Sequence, residues 1–275
     1  MSYVVGIDIG GTTTKIVGIK DNEVMSPVTP FKVQATDPIT SAYGAFGRFI
    51  SENDIPLSEI EQVMLTGAGS SRVEGGFFNL ATKKVTEFDA LGLGGLALSG
   101  CHEAIIVSMG TGTAFVRATY DKIAHIGGTG VGGGTLLGLA DRMLGLRNFD
   151  NIVEIAGGGN LDHIDLHIKD ITAYKVSTLN PDTTASNFGK LSDLASNSDV
   201  AMGIINMVFQ SIGMFAVFAA RNDTIKQIVL TGNLTLIPQA RQIFDGLETL
   251  YDIKFLIPEN AEYATAYGAA LEYFK

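Results

Sequence analysis

Asp8 stands alone among small residues in "GIDIGGTTTK", where apolar runs flank two glycines and three threonines. A turn between two strands needs only one or two residues able to take positive φ. This tip adds a carboxylate, hydroxyls and unhindered backbone N–H groups, a set that suits an anionic oxygen. A second tip of the same build, "SMGTGT" with Thr111, follows the apolar run 105–107. Two such tips can grip a polyphosphate from both sides. Asp8 is then placed to hold Mg²⁺, directly or through water, beside the phosphates. Lys15 neutralises charge there if it points into the cleft.

Positioning two tips requires two scaffolds, and the chain repeats itself accordingly. "EQVMLTGAG" (residues 61–69) and "KQIVLTGNL" (residues 226–234) share a polar lead-in, a buried-type strand and the same Leu-Thr-Gly exit. In each half the hairpin comes first and the LTG strand later. Helical patterns lie between and after, over 42–53, 88–99, 135–144, 200–221 and 238–251. Alternating strands and helices predict an α/β fold. The repeated order predicts two related domains facing each other across a cleft, residues 1–98 and 99–275. The tail "AEYATAYGAALEYF" has small residues at helical spacing, suited to close packing, and residues 182–198 read as a loop with a short helical turn.

The bulk properties narrow the function classes. With 46% hydrophobic and 17% charged residues, the chain has a sizeable core and no disordered composition. A net charge of −10 argues against a nucleic-acid partner. Cys101 is the single cysteine, which excludes a disulfide framework and a thiolate cluster held by one chain. No export signal is visible at the N-terminus, so a cytoplasmic location is expected. Residues 201–220 carry no charge over a bilayer's length. Asn206, Gln210 and Ser211 in the middle instead predict a helix buried all round, in a core or a subunit interface, and no membrane association.

Rival nucleotide motifs are weaker. No GxxxxGK[ST] occurs, which excludes a P-loop. "GTGVGG" (residues 128–133) matches GxGxxG after a strand at 122–126 and before a helix, with Asp150 or Glu154 downstream. So glycine-dense a run meets that pattern easily, and a dehydrogenase reading lacks the surrounding βαβ unit.

The paired hairpins resemble the phosphate loops of the actin–hexokinase–Hsp70 superfamily, whose two domains are actin-like (ribonuclease H-like). Within it the chain resembles the type II pantothenate kinases over nearly its whole length. The resemblance is carried by "GIDIGGTTTK", "EFDALGLG", "VSMGTGT", "GGTGVGGGT", "IDLHIKDI", "ASNFGK" and "ENAEYATAYGAAL". It implies a homodimeric enzyme that uses ATP and Mg²⁺ to phosphorylate the terminal hydroxyl of pantothenate, the first step toward coenzyme A. It also implies that the last helix, about residues 262–275, packs back toward the first domain.

Phosphoryl transfer needs positioning, charge neutralisation and a group to accept the hydroxyl proton. Two acids follow the LTGAG strand. Glu74, with Arg72 two residues before it, reads as a solvated charge. Glu87 opens an apolar segment as a helix-start acid facing the cleft, where burial raises a carboxyl pKa. Without the resemblance, Glu87 and Asp89 could equally be acids favoured by the helix macrodipole. The family's base lies in the matching E-[FL]-D motif, which maps onto Glu87. The run Asp8, Ile9, Gly10, Gly11, Thr12, Thr13, Thr14 and Lys15 maps onto the phosphate and metal site, and Thr111 onto the opposing tip. Gly133, Gly134, Thr135, Leu136 and Leu137 are expected to meet the nucleotide with backbone amides. Phe149 falls where the family has an aromatic near the nucleotide, and Asn233 where it has a small polar group.

One position departs from the family. Just before "IGGTGVGGG", where an Arg normally contacts the pantothenate carboxylate or the transferring phosphate, stand Ala124 and His125. A histidine is only partly charged at neutral pH and lacks the bidentate fork. Either His125 binds the substrate more weakly, Arg117 or Arg72 substitutes, or the acceptor is different. A sugar or N-acetylhexosamine kinase is the nearest enzymatic alternative. An ATP-binding regulator is another; in the dehydratase-activator version, Cys101 would supply just one cluster ligand per subunit. His163 and His167 have the i,i+4 spacing of a helical metal pair but lack the Glu of HExxH. Alternation of Ile164, Leu166 and Ile168 predicts a strand with both histidines facing away from the core.

Overall fold

The computed structural model describes residues 2–21, 28–35, 37–174, 179–221 and 223–275. The chain opens with the hairpin β1 (Tyr3–Ile9) and β2 (Thr13–Lys20), and β3 (Val28–Gln34) adds an antiparallel edge. α1 (Pro38–Glu52) crosses to β4 (Ile60–Thr66), which runs parallel to β1. β5 (Thr82–Lys84) completes a sheet of order β3-β2-β1-β4-β5. α2 (Glu87–Ser99) then leads to the meander β6 (Glu103–Met109), β7 (Thr113–Thr119) and β8 (Ile123–Thr129).

Next come α3 (Gly133–Leu144), α4 (Phe149–Ala156), and a small ribbon of β9 (Leu166–His167) and β10 (Thr184–Ser186) around α5 (Ile168–Ile171). The long α6 (Asn197–Arg221) precedes β11 (Gln227–Thr231), α7 (Gln239–Tyr251), β12 (Lys254–Leu256) and α8 (Ala264–Leu271). The second sheet runs β8-β7-β6-β11-β12. Both five-stranded sheets therefore place a hairpin beside a parallel LTG strand, as the internal echo predicts. Each LTG exit turns on a glycine with φ of +84° (Gly67) or +89° (Gly232), a conformation that L side chains rarely adopt.

β1 is apolar on both faces because both are covered. Val5, Ile7 and Ile9 join Phe46 and Phe49 of α1 in one core, while Val4 and Val17 join Ala266, Ala269 and Ala270 of α8 in another. The second face works only with small residues. A Cβ on Gly6 would lie 2.0 Å from the Ala266 carbonyl oxygen. Cβ atoms on Gly94 and Gly268 would lie 1.8 Å from the carbonyl oxygens of Ala264 and Ala90, so α2 and α8 cross in backbone contact.

Three expectations are corrected. α6 is not buried all round: Ile204, Ile205, Phe209 and Ile212 enter the core of the second half, but Phe215 and Phe218 are about half exposed. The helix is long and apolar enough to cross a membrane, yet its polar groups are tied inside the protein, with Asn206 donating to Asp165 at 2.7 Å. The histidine segment is a strand for only two residues. His167 is buried and faces Asp162 at 3.3 Å, whereas His163 stays accessible and pairs with Asp199 at 3.1 Å. The expected loop after residue 182 includes β10, which pairs with β9.

Candidate active site

Strand alternation decides which face of the sheet each tip residue takes. On β1 and β2, Asp8 and Lys15 are register partners on the α8 side. Ile9 and Thr14 fall on the other face; Ile9 belongs to the α1 core and Thr14 is fully buried. Their side chains therefore lie on the face opposite Asp8 and Lys15. Gly11 and Thr12 are exposed at the tip, and Gly10 N–H closes the turn onto the Thr13 carbonyl at 3.0 Å. The second tip meets the first: the Thr12 and Thr111 hydroxyl oxygens lie 3.4 Å apart. Asn233, just past β11, donates to the Thr13 hydroxyl at 3.4 Å, leaving its own buried Oδ1 unpartnered.

Behind the first tip lies a compact group of charges. Burial pushes the Asp8 carboxyl above its ordinary value, and Lys15 opposes that. Lys15 is 6% exposed; burial lowers its pKa, Asp8 raises it, Lys32 lowers it, and Glu262 and Glu87 raise it. Lys32 is the register partner of Lys15 on β3. Gly67 matters here in a way that motif reading missed, because a Cβ there would lie 2.4 Å from Asp8 Oδ1. The glycine of LTG thus makes room for the carboxylate as well as the turn. Thr66, the register partner of Asp8 on β4, keeps a buried hydroxyl with no partner. Glu262 and Lys32 were also missed, since neither lies in a tip; only the fold brings the chain's end beside β2.

The triple-glycine loop acts differently from expectation. The amides of Gly133 and Gly134 donate to the carbonyls of Gly110 and Thr111 at 2.8 Å, and that of Leu136 donates to Gly132 at 3.0 Å. Leu136 itself is fully buried. These N–H groups brace the second tip instead of facing a nucleotide. Glycine is required because a Cβ at Gly132 would lie 2.7 Å from the Thr111 carbonyl oxygen. The Thr135 hydroxyl donates to the Gly130 carbonyl at 2.9 Å, and Leu137 packs partly buried on the core. Phe149, the first residue of α4, likewise packs against that core.

Glu87 begins α2, where Thr86 caps the helix by accepting from Asp89 N–H at 3.2 Å. It is open to solvent but lies within electrostatic reach of the tip charges. Partial desolvation raises its pKa, Asp8 raises it further, and Lys15 opposes both. Phe88 stacks on His125, with ring centroids 4.1 Å apart and planes 14° from parallel. Arg117 is not beside them. It alternates with Val116, the register partner of His125, and so lies on the opposite sheet face, where Asp223 holds it at 2.5 Å. Glu74 is exposed, as is Arg72, which acts on the Asp37 carboxylate at the start of α1. A separate cavity of about 270 Å³ between α6, α7 and β10 is lined by His167 but by none of the candidate phosphate-site residues.

A family model described as Fumble matches residues 97–252. A type II pantothenate kinase of Bacillus cereus (strain ATCC 10987 / NRS 248) is 26% identical over 249 residues, covering 85% of this chain and 83% of that protein. Another, from Staphylococcus aureus (strain USA300), is 28% identical over 279 residues, covering 96% and 97%. Among solved structures, component A of the Acidaminococcus fermentans (R)-2-hydroxyglutaryl-CoA dehydratase superposes with a TM-score of 0.72 at 18% identity, covering 99% and 97%. A ROK family glucokinase from Streptomyces griseus, in complex with glucose and AMPPNP, gives 0.62 at 12% identity, covering 98% and 99%. These structural likenesses speak for the fold, two sheets of the actin-like type.

Proposed function

This chain belongs to the Fumble family and is a kinase, and from that premise we propose that it transfers the γ-phosphoryl group of ATP to pantothenate. The observation that carries the reading is convergence. Two Gly/Thr tips from the two halves meet at Thr12 and Thr111, with Asp8 and Lys15 behind one of them and Glu87 in electrostatic reach. The exposed edges of the tips bind phosphate oxygens, and Lys15 stands behind the first tip as the partner of Asp8. Glu87 accepts the proton of the attacking hydroxyl; a positioned base contributes about 10²–10⁴-fold. Its raised pKa makes it a stronger proton acceptor than an ordinary glutamate.

Mg²⁺ fits Asp8. The carboxylate is cradled by Gly67, and the unpartnered Thr66 hydroxyl lies on the neighbouring strand. Asp8 would hold the ion as a single carboxylate, with phosphate oxygens and water supplying the remaining oxygen ligands that Mg²⁺ prefers. When bound, the ion neutralises phosphate charge. We assign homodimerisation to the outer face of α6, where Phe215 and Phe218 are exposed.

His125 favours one second reading, a sugar acceptor, because a neutral polyol needs no guanidinium. The experiment is ADP release from Mg-ATP with pantothenate, N-acetylglucosamine and glucose offered separately, for wild type and Glu87→Gln. Turnover with pantothenate that falls at least 100-fold in the variant is expected. Turnover with a sugar alone transfers the assignment to the sugar kinases, and no acceptor-dependent release rejects both.

A further inference from the structure

We propose that Phe88 is a positioning residue for the reaction, holding the His125 imidazole so that its Nε2 edge addresses the phosphoryl group in flight. This rests on the phosphoryl-transfer reading of the cleft. The placement follows from how α2 lies on β8. A Cβ on Gly92 would sit 2.7 Å from Ile123 Cγ2, so the helix backbone at Gly92 packs directly on the Ile123 side chain. Four residues back along the helix is Phe88, and two residues on along the strand is His125. Those steps cover about 6 Å and about 6.7 Å. The two side chains therefore come into register one step from the Gly92 contact, and they stack.

The direction of the ring is also set. β8 pairs regularly with β7 from Ile123 to His125, then slips, so that Gly127 pairs with Phe115 and Ile126 is left as a bulge. The slip returns Gly128 to the same face as His125. His125 Nε2 lies 3.9 Å from where a Gly128 Cβ would be, and the Thr113 carbonyl oxygen is 3.1 Å from that same point. The imidazole is thus held on one ring face by Phe88, beside the general base. Its nitrogen edge turns toward the strand that enters the glycine loop and the second tip. The stack thus joins the helix that opens with Glu87 to the strand that leads into the loop bracing the second tip. Phe88 is 38% exposed although apolar, and its immediate partner is an imidazole rather than the core. Thr86 fixes the start of α2, so the ring is carried on a capped helix end.

The test is a double-mutant cycle on kcat and KM, read beside a measurement that needs no turnover. Removing one preorganised donor lowers kcat by about 10²-fold, so His125→Ala is expected to lose about that much. Phe88→Leu is expected to lose about tenfold in kcat, with KM for ATP and for the acceptor within about twofold. The double variant falls no further than His125→Ala, because the two act as one unit. Phe88→Tyr, which keeps the ring, retains most of kcat. Losses that multiply in the double variant, or a Phe88→Leu effect confined to acceptor KM, would overturn the proposal.

The second readout is the His125 ring resonance on addition of Mg-ADP with aluminium fluoride. It shifts in wild type and Phe88→Tyr and stays put in Phe88→Leu. Wild type that ignores pantothenate but still moves His125 with the phosphoryl mimic supports the positioning role and sinks the acceptor assignment instead. No movement in wild type rejects the positioning role whatever acceptor is used.

Discussion

Gly268→Ala should loosen the crossing on which the base is mounted. A Cβ at this position would lie 1.8 Å from the Ala90 carbonyl oxygen and 2.5 Å from Gly94 N. Ordinary contact begins at 3.4 Å, so α2 and α8 must separate by 3.4 − 1.8 = 1.6 Å along that line. Neither partner is a side chain that can rotate away, which places the cost near the top of the range for overpacking, about 3 kcal/mol. Alanine returns about 1 kcal/mol through helix propensity. The net loss of about 2 kcal/mol lowers Tm by about 4–8 °C for a chain of this size.

Activity should fall as well, because α2 carries Glu87 and Phe88 at its first turn, and a misplacement of about 1 Å can cost about 100-fold. Thermal melts, urea midpoints and kcat on the same preparation measure all three effects. Gly44→Ala on α1 is the control, since nothing lies within 4 Å of its added Cβ; it should gain about 0.5–1 kcal/mol. A Gly268→Ala protein that melts at or above wild type would refute the backbone-contact argument.

Other outcomes follow from the charges. Because the raised Glu87 pKa must be exceeded for the base to ionise, the acid limb of kcat should lie above the ordinary glutamate value and vanish in Glu87→Gln. A pH–rate profile of both forms checks it. Asp199 is a buried acid in the first turn of α6, where its N–H donates to the Ser196 hydroxyl. Burial alone would raise its pKa, but Asn160 N–H and Ser196 N–H, with His163 and the Ser196 hydroxyl, hold it far below the usual range. Its folded pKa is depressed, so its stabilisation is present above the unfolded value and is lost as pH falls toward the folded one. Asp199→Asn should therefore cost about 1–3 kcal/mol at neutral pH, with the gap from wild type narrowing below about pH 4 in urea titrations. Arg117→Ala breaks a partly exposed pair with Asp223 and should cost about 1 kcal/mol or less, leaving acceptor KM unchanged. A raised KM would return Arg117 to the substrate site.

The α/β class, the two hairpins, the LTG strands and the main helices were legible in the chain itself, because each is written in local terms. Apolar runs of strand length, glycine where φ must be positive, and helical spacing all act between near neighbours. The tip residues could be listed from type and spacing. Their orientation required the pairing of β1 with β2, which turns Asp8 and Lys15 toward α8 and Ile9 and Thr14 to the opposite face. Gly133 and Gly134 carry the same signature whether their amides face a ligand or a neighbouring loop, and only the packing of that loop on Gly110 and Thr111 chose between them. Glu262, Lys32 and the Phe88–His125 stack had no signal in spacing at all. They depend on long-range closure of the chain, and nothing local in a sequence encodes which distant surfaces will be pressed together.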